Sequence, residues 1–408
     1  MAINTTSIVF TGDIGFDKYM AQKWEDENLL SEQVLDFFQS ADHVCANVEG
    51  ALLEVADDGT RDVCFHAMNP KATKVLQKIK ADIWNIGNNH IMDAGMAGLI
   101  STKEIADKEN CCTVGAGVNR TDASEPVYLE EAGGIGILSV TYMAGCVPAT
   151  DTEPGIFRWD EMDYIAKRIS EIKSHCRWCV VVSHGGEEFA TLPFPYTRNR
   201  YLKFLEMGAD VVVGHHPHVP ENYELLSNGK AIFYSLGNFI FDTDYQRAHL
   251  YTDIGILLKL LFTEDKFDFD AIAIQIDRTT ERITTTKLPA IFSNIPADEY
   301  EILAPLSAKA FIPEDIRIMK YLEPQKHANF SDEDWNEFYD HIISTVYTKD
   351  GHMDYDVILP LAQGAENGKW QESKLEDIKA YILRQFELPY PISYKYTHNR
   401  LESVENEK

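Results

Sequence analysis

Apolar residues recur along much of the chain in two alternating rhythms. Short β-branched runs, Ile8-Val9-Phe10, Asp82-Ile83-Trp84-Asn85-Ile86, Val180-Val181-Val182 and Asp210-Val211-Val212-Val213, punctuate longer stretches of helical spacing. Those stretches are Ser31 to Gln39, Pro70 to Lys80, Leu99 to Lys108, Met162 to Ser174 and Arg198 to Met207. Strands joined by helices in this way predict a mostly parallel α/β sheet. Pro70 stands where a first-turn proline is tolerated, and Gly208 follows the last helical run as a C-terminal stop.

After Ile232 to Phe241 the texture changes. Asp253 to Leu261, Phe269 to Asp277 and Ile283 to Leu288 are extended runs, which predict antiparallel strands completing a second sheet. From Ala297 onward Glu299 to Lys309, Pro313 to Tyr321, Asp332 to Val346 and Ser373 to Phe386 predict helices, with loops at Gly351 to Asp356 and Gly364 to Gly368. The expected organisation is a catalytic domain over 1–295 and a helical C-terminal region over 296–408 with an acidic tail. Trp335, Phe338, Tyr339, Trp370 and Tyr381 read as the core of a packed extension; a substrate lid or a dimer surface is the alternative use, so an oligomer stays open.

Composition narrows the partners. The 408 residues, 45% hydrophobic and 25% charged, suit a globular protein. A net charge of -28 without any Lys/Arg-rich run argues against nucleic acid, whose phosphates would be repelled. Met1 to Ser7 lack the charged start of a secretory signal and lead straight into Ile8, which predicts a cytoplasmic protein. Ile254 to Phe262 is interrupted by Lys259 and is about half the roughly 20 residues that span a bilayer, so no membrane span is expected. The seven cysteines include one C-x-x-C, Cys176 to Cys179, with no second pair at a zinc-ribbon spacing, and they read as reduced thiols.

The chemistry lies where apolar runs end. Ile8-Val9-Phe10 leads to Asp13, Val44 to Asn47-Val48-Glu49, Ile83 to Asn88-Asn89-His90, Val180 to His184, and Val211 to His215-His216-Pro217-His218. In open α/β sheets ligand groups converge at the C-terminal strand edge, so these distant residues can share one crevice. Any one of them alone reads as a turn residue or a helix cap; their recurrence at five strand ends is the signal. Carboxylate, amide and imidazole donors without thiolates suit one or two divalent ions, manganese, zinc or iron. Gly12, Gly87, Gly185, Gly186 and Gly214 sit at the same strand ends, where a side chain would obstruct a turn passing close to an ion.

The same residues carry a family resemblance. Asn85 to Gly95 with Gly98-Leu99, Thr102 and Gly115-Ala116-Gly117, then Ser183 to Glu188 with Pro195, Gly208 to His218, and Tyr234 to Phe239 resemble the bacterial capsule-synthesis and poly-gamma-glutamate-synthesis proteins (CapA-like) over residues 7 to 262. The resemblance implies a calcineurin-like metallophosphoesterase fold: α/β, a two-sheet β-sandwich flanked by helices, here with the helical C-terminal extension. By similarity Asp13, Glu49, Asn89, His184 and the His216-Pro217-His218 pair stand at ligand positions, Glu49 as the bridging acid and His90 as an acid or charge stabiliser beside them. The sequence departs from that pattern twice. The usual Asp-x-His opening is Asp13-Ile14-Gly15, and Asn47-Val48-Glu49 replaces the bridging Asp. His215 competes with His216 as the partner of His218.

The implied reaction is metal-dependent hydrolysis of a phosphoester, on a small molecule or an anionic polymer, with ions about 4 Å apart if two bind. His90 oriented by Asp93 would protonate the leaving oxygen, although Asp93 equally suits a helix first turn. Arg198 and Arg200 would clamp an anion, or be surface charges on the next helix. Glu187 and Glu188, after His184, would be acids beside the ligands or substrate contacts, Glu187 foremost, and both also read as solvated loop acids. Two rival functions share the residues: a metal-binding accessory of a polymer-synthesis complex without turnover, and cleavage or transfer at an amide bond of a glutamate polymer.

Overall fold

The computed structural model describes residues 5–54, 65–142 and 146–303. Cys64 and the C-terminal segments beyond residue 303 lie outside the described residues. Two compact units are distinguished. The first comprises Met1–Tyr142, Cys146–Thr191 and Tyr201–Pro296, and the second comprises Met143–Gly145, Leu192–Arg200 and Ala297–Lys408. Within the second unit residues 297–303 are helical, and Tyr300 Oη donates to the Pro193 carbonyl at 2.5 Å.

Two sheets build the first unit. One carries the parallel strands Thr6–Ile14, His43–Val48, Ile83–Asn85 and Cys112–Val114 in spatial order. The other carries Ile135–Tyr142, Trp178–Gly185, Val211–His215 and Ala231–Phe233, also parallel, with Val127–Leu129 and Tyr223–Leu225 antiparallel at its two edges. The alternation of side chains in each strand decides the layering. Ile8 and Phe10 face Ile137, Val180, Val182 and Val213 of the other sheet in one shared core, while Val9 points the other way, toward Val34, Phe38 and Leu76. Full burial of each such side chain stabilises the fold by about 1.5–3 kcal/mol. On the outer face of the second sheet, helix Met162–His175 rests on strands Ile135–Tyr142 and Trp178–Gly185, burying Ile165, Ile169 and Ile172 at helical spacing. The expected two-sheet sandwich flanked by helices is what the chain forms.

One strand assignment is corrected. Ile254–Phe262, Phe267–Asp277 and Arg282–Thr286 are antiparallel strands, as expected, yet they extend the first sheet and do not complete a second one. Pairing of Ser7 with Leu261 and Phe10 with Leu258 places Leu258 and Leu260 in the core between the sheets, and a one-residue slip would turn them to the opposite face. Helix starts also differ: Gly95–Lys108 and Pro195–Glu206 each begin about one turn before the expected residue. No helix among the described residues is long and apolar enough to cross a membrane.

The strand-end glycines serve packing between chain segments. A Cβ on Gly12 would overlap the Gly237 carbonyl oxygen, and one on Gly214 would overlap the Tyr234 carbonyl oxygen. These contacts let Asn238–Ile240 pair with the end of Thr6–Ile14, with Asp13 opposite Asn238. For Gly12 and Gly214 the expectation of room for an ion is therefore replaced by strand-to-strand contact. Gly214→Ala is expected to lower unfolding stability by about 3 kcal/mol, because the clash is with backbone that cannot rotate away; denaturant titration checks this, and an unchanged midpoint would refute it.

Candidate metal centre

Parallel strands of both sheets deliver their C-terminal ends to one buried spot. Asp13 lies near the end of Thr6–Ile14, Glu49 just past His43–Val48, Asn89 and His90 after Ile83–Asn85, and His184 next to the end of Trp178–Gly185. Asp13, Glu49 and His184 are fully buried, and His216 and His218 nearly so. His216 (φ 97°) and His218 (φ 59°) adopt left-handed backbone conformations, which for non-glycine residues mark positions constrained by their surroundings.

Glu49 is the centre of the arrangement. Neither of its carboxylate oxygens has a hydrogen-bond partner. Around Oε1 stand three imidazole Nε2 atoms, of His184 at 3.7 Å, His218 at 3.7 Å and His90 at 4.0 Å. Leaving a buried carboxylate unpaired is costly, so such an atom calls for a ligand. Three sets of side chains could hold an ion, with all donor atoms of a set within 4.8 Å of one another: Glu49, His184 and His216; Asp13, Glu49 and His218; and Glu188, His216 and His218. Asn89 Oδ1 lies 2.8 Å from His184 Nε2, which adds an amide oxygen to the first set. The hard and borderline donors fit a divalent ion of the manganese, zinc or iron kind.

Supporting contacts orient the donors. Asn47 Nδ2 donates to Asp13 Oδ1 at 2.7 Å, Asn85 Nδ2 donates to Asn47 Oδ1 at 2.6 Å, and Ser139 Oγ of the other sheet donates to Asn85 Oδ1 at 2.6 Å. His218 Nδ1 lies 2.9 Å from Asn238 Oδ1 and 3.2 Å from Asp13 Oδ2. Its Nε2 thereby faces Glu49. Hydrogen bonds of this kind set which ring nitrogen is available to an ion.

Electrostatics separates the histidines. Burial pushes His184 well below its ordinary value, with the neighbouring imidazoles adding to the effect, and pushes His216 down to about 4 despite Glu188. Both are neutral at pH 7, the form that binds metal. Burial opposes charge on His218 too, but the Glu49 charge and Asp13's hydrogen bond and charge outweigh it and raise it to about 10. Burial also drives Glu49 well above the carboxylate range, helped by the Asp13 charge. For Asp13 burial is outweighed by His218, His215 and His216, and its carboxyl falls below the ordinary value.

The other expected residues divide. His90 Nδ1 pairs with Asp93 Oδ2 at 2.8 Å, and its Nε2 lies 2.8 Å from Asn89 Nδ2. His215 joins none of the three sets; its Nε2 contacts the Thr11 carbonyl at 2.8 Å. Glu187 also joins none and lies near the buried Glu221. Arg198 and Arg200 belong to the second unit, where Arg198 pairs with Glu301 at 3.3 Å and its guanidinium stacks 4.5 Å from the Tyr300 ring centroid. Sequence reasoning undervalued Glu188, which it offered as an acid beside the ligands or a substrate contact but favoured as a solvated loop acid, and it missed two contributors. Asn238 was visible only as part of the Tyr234 to Phe239 motif. His66 carried no signal; it places its ring 4.2 Å from that of His90, gives Asp93 Oδ2 a backbone hydrogen bond at 2.9 Å, and pairs with Asp17 at 2.6 Å.

Comparison with known proteins gives these residues a family. The model of the bacterial capsule synthesis protein PGA_cap matches residues 7–243, more than half of the chain. The chain belongs to the bacterial capsule synthesis protein family. Every residue of the three donor sets falls inside the matched span. Among relatives of this chain, the PGA biosynthesis protein CapA of Bacillus subtilis (strain 168) is 34% identical over 59% of this chain and 65% of its own. The capsule biosynthesis protein CapA of Bacillus anthracis is 30% identical over 53% of this chain and 54% of its own. The matches thus span less than two thirds of either relative. A solved structure, Haemophilus influenzae NAD nucleotidase, aligns over 89% of this chain and 68% of that chain at 12% identity with a TM-score of 0.37, a fit too loose to carry an argument.

Mn²⁺ or Zn²⁺ is expected to raise the melting temperature of the protein, with about 2.7 kcal/mol of stabilisation at a hundredfold excess over Kd. His184→Ala and His218→Ala lose that rise, whereas His215→Ala keeps it from a lower baseline. Because Glu49 and Asp13 raise ion-free His218 to about 10, the ion is expected to release a proton from the His218–Glu49 pair. Affinity then increases with pH between 7 and 9, up to about tenfold per unit. Calorimetry in buffers of different ionisation heat reads the released proton; a pH-independent affinity would contradict the assignment.

Proposed function

We propose that this family member is a divalent-ion-dependent hydrolase of phosphoesters, acting in the making of an anionic bacterial polymer. The observation that carries the reading is Glu49, buried, without a hydrogen-bond partner, and facing three imidazole nitrogens. The polymer context comes from the family description and from the Bacillus subtilis relative, named for PGA biosynthesis.

Asp13, Glu49, Asn89, His184, His216 and His218 would hold the ion. A bound divalent ion supplies Lewis acidity, polarising an ester oxygen and easing the ionisation of water. The chain's own residues do the rest. Asn47 and Asn238 keep the Asp13 and His218 donors pointed inward. Burial excludes bulk water and so strengthens each charge interaction within the centre. His90 sits beside the donors with Nδ1 held by Asp93 and Nε2 receiving the Asn89 amide, so it would fix the Asn89 Oδ1 donor and steady charge on the Glu49 side. His66 and Asp17 fix Asp93 and the His90 ring from behind.

Purified protein loaded with Mn²⁺ or Zn²⁺ is expected to cleave p-nitrophenyl phosphate or bis(p-nitrophenyl) phosphate. His184→Ala and His218→Ala abolish turnover. His90→Gln and Asp93→Asn lower kcat by about 10²- to 10⁴-fold while ion content stays the same. Ion-loaded protein that cleaves neither ester would sink the hydrolase reading and leave a metal-binding accessory role in polymer synthesis.

A further inference from the structure

Two histidine rings outside the donor sets stand at the rim of the centre, and they differ in what their nitrogens bind. Glu49 and His184 are fully buried, whereas His90 and His66 each keep 7% of their surface exposed. His90 holds Asp93 with Nδ1 and the Asn89 amide with Nε2. His66 places Nδ1 2.6 Å from Asp17 Oδ2, and among the described residues its Nε2 has no hydrogen-bond partner. That nitrogen reaches solvent.

Backbone contacts bring His66 beside Glu49. Gly50, the residue after Glu49, adopts φ 112°, and a Cβ there would lie 2.8 Å from the His66 carbonyl oxygen and 3.2 Å from the His66 Cβ. The glycine lets the two segments touch. Ala51 N donates to the same carbonyl at 3.4 Å, and His66 N donates to Asp93 Oδ2 at 2.9 Å. Rings continue the wall: His66 stands edge-on 4.2 Å from His90 and 5.1 Å from Phe241, which packs 4.9 Å from His218. His90 and His218 in turn face Glu49 at 4.0 and 3.7 Å. The arc closes on Glu49, with His66 near its middle. A ring that only packed against His90 would need no carboxylate on Nδ1. A carboxylate there orients an imidazole and supports positive charge that forms when the other nitrogen takes a proton.

We infer that His66 Nε2 is a contact for an oxygen of the substrate's phosphoryl group, with Asp17 as its positioning residue. The inference rests on the phosphoester reading above and adds to it a donor from outside the ion-binding residues. With Nδ1–H given to Asp17, a proton taken from solvent at Nε2 makes the ring a cation that donates at both ends, to the carboxylate and to the phosphoryl oxygen. No covalent bond of the substrate changes in this contact. A terminal phosphate with two charges gains more from it than a diester with one, so the site favours phosphomonoesters.

The test separates touching the substrate from supporting the centre. Wild type, His66→Asn, His66→Gln and His43→Asn, each loaded with Mn²⁺, are compared in ion content, in binding of inorganic phosphate by titration calorimetry, and in cleavage of p-nitrophenyl phosphate and bis(p-nitrophenyl) phosphate. The His66→Asn amide can keep the bond to Asp17 but falls short of the place of Nε2; the His66→Gln amide reaches that place and leaves Asp17. His43 pairs with Asp82 at 2.6 Å at the start of His43–Val48, away from the centre, and controls for loss of a pair. His66→Asn is expected to weaken phosphate at least tenfold and to raise KM for the monoester by a similar factor, with less than a threefold change for the diester and unchanged ion content. His66→Gln recovers part of the affinity, and His43→Asn binds phosphate as wild type does. Unchanged phosphate affinity in His66→Asn overturns the inference. Loss of bound Mn²⁺ in that variant does so too, because His66 would then act only as a support of His90 and Asn89. Ion-loaded wild type that binds no phosphate overturns it whatever the turnover. Wild type that binds phosphate through His66 yet cleaves neither ester sinks the hydrolase reading and leaves the contact standing.

Discussion

A carboxylate buried without a hydrogen-bond partner is the constraint on which the rest of this structure depends. Glu49 lies between two sheets, where charge is strongly disfavoured, and the chain gives it imidazole nitrogens in place of hydrogen-bond donors. Holding those groups at 3.7–4.0 Å requires strand ends from both sheets to meet. The parallel strands of the sandwich meet that requirement, and the amide ladder from Asp13 through Asn47 and Asn85 to Ser139 ties one sheet to the other at the same level. Fold and centre are thus one arrangement: the core between the sheets sets the distance at which the donors face each other.

The histidine segment shows the local cost of that arrangement. Two left-handed residues flank Pro217, each a conformation that side chains disfavour, and Phe189 adds a third on the facing loop. Burial of the rings, the Asn238 contact and the hydrogen bond to the Pro217 carbonyl hold them in place. Strain concentrated where chemistry is expected is a recurrent property of functional sites.

Much of this was legible in the sequence, and the limits are physical. Strand ends and their donors could be read because an apolar run followed by a polar ligand type leaves a local signature, as at Val180 to His184. The choice between His215 and His216 was not legible, since adjacent histidines look alike until the backbone φ turns one toward Glu49 and sends the other to the Thr11 carbonyl. The glycines were found in the right places for the wrong reason: a close approach to the Gly237 and Tyr234 carbonyls is a long-range fact that a strand-end glycine cannot reveal. The same holds for Ile254–Phe262, whose partner strand lies more than two hundred residues earlier in the chain. Glu188 was undervalued because a loop acid in an acidic protein carries no contrast; only the tie to Pro217 sets it apart.

An amide at Asn47 has an effect on what the centre attracts. The amide orients Asp13 without adding negative charge, so an ion held by Asp13 and Glu49 would keep more of its positive charge than it would beside a third acid. A chain whose formal net charge is -28 would then carry a small electropositive well at its strand ends. Field lines focused into such a well draw anions past a surface that otherwise repels them, making the route of approach, and not only the donors at its end, a determinant of which molecules enter.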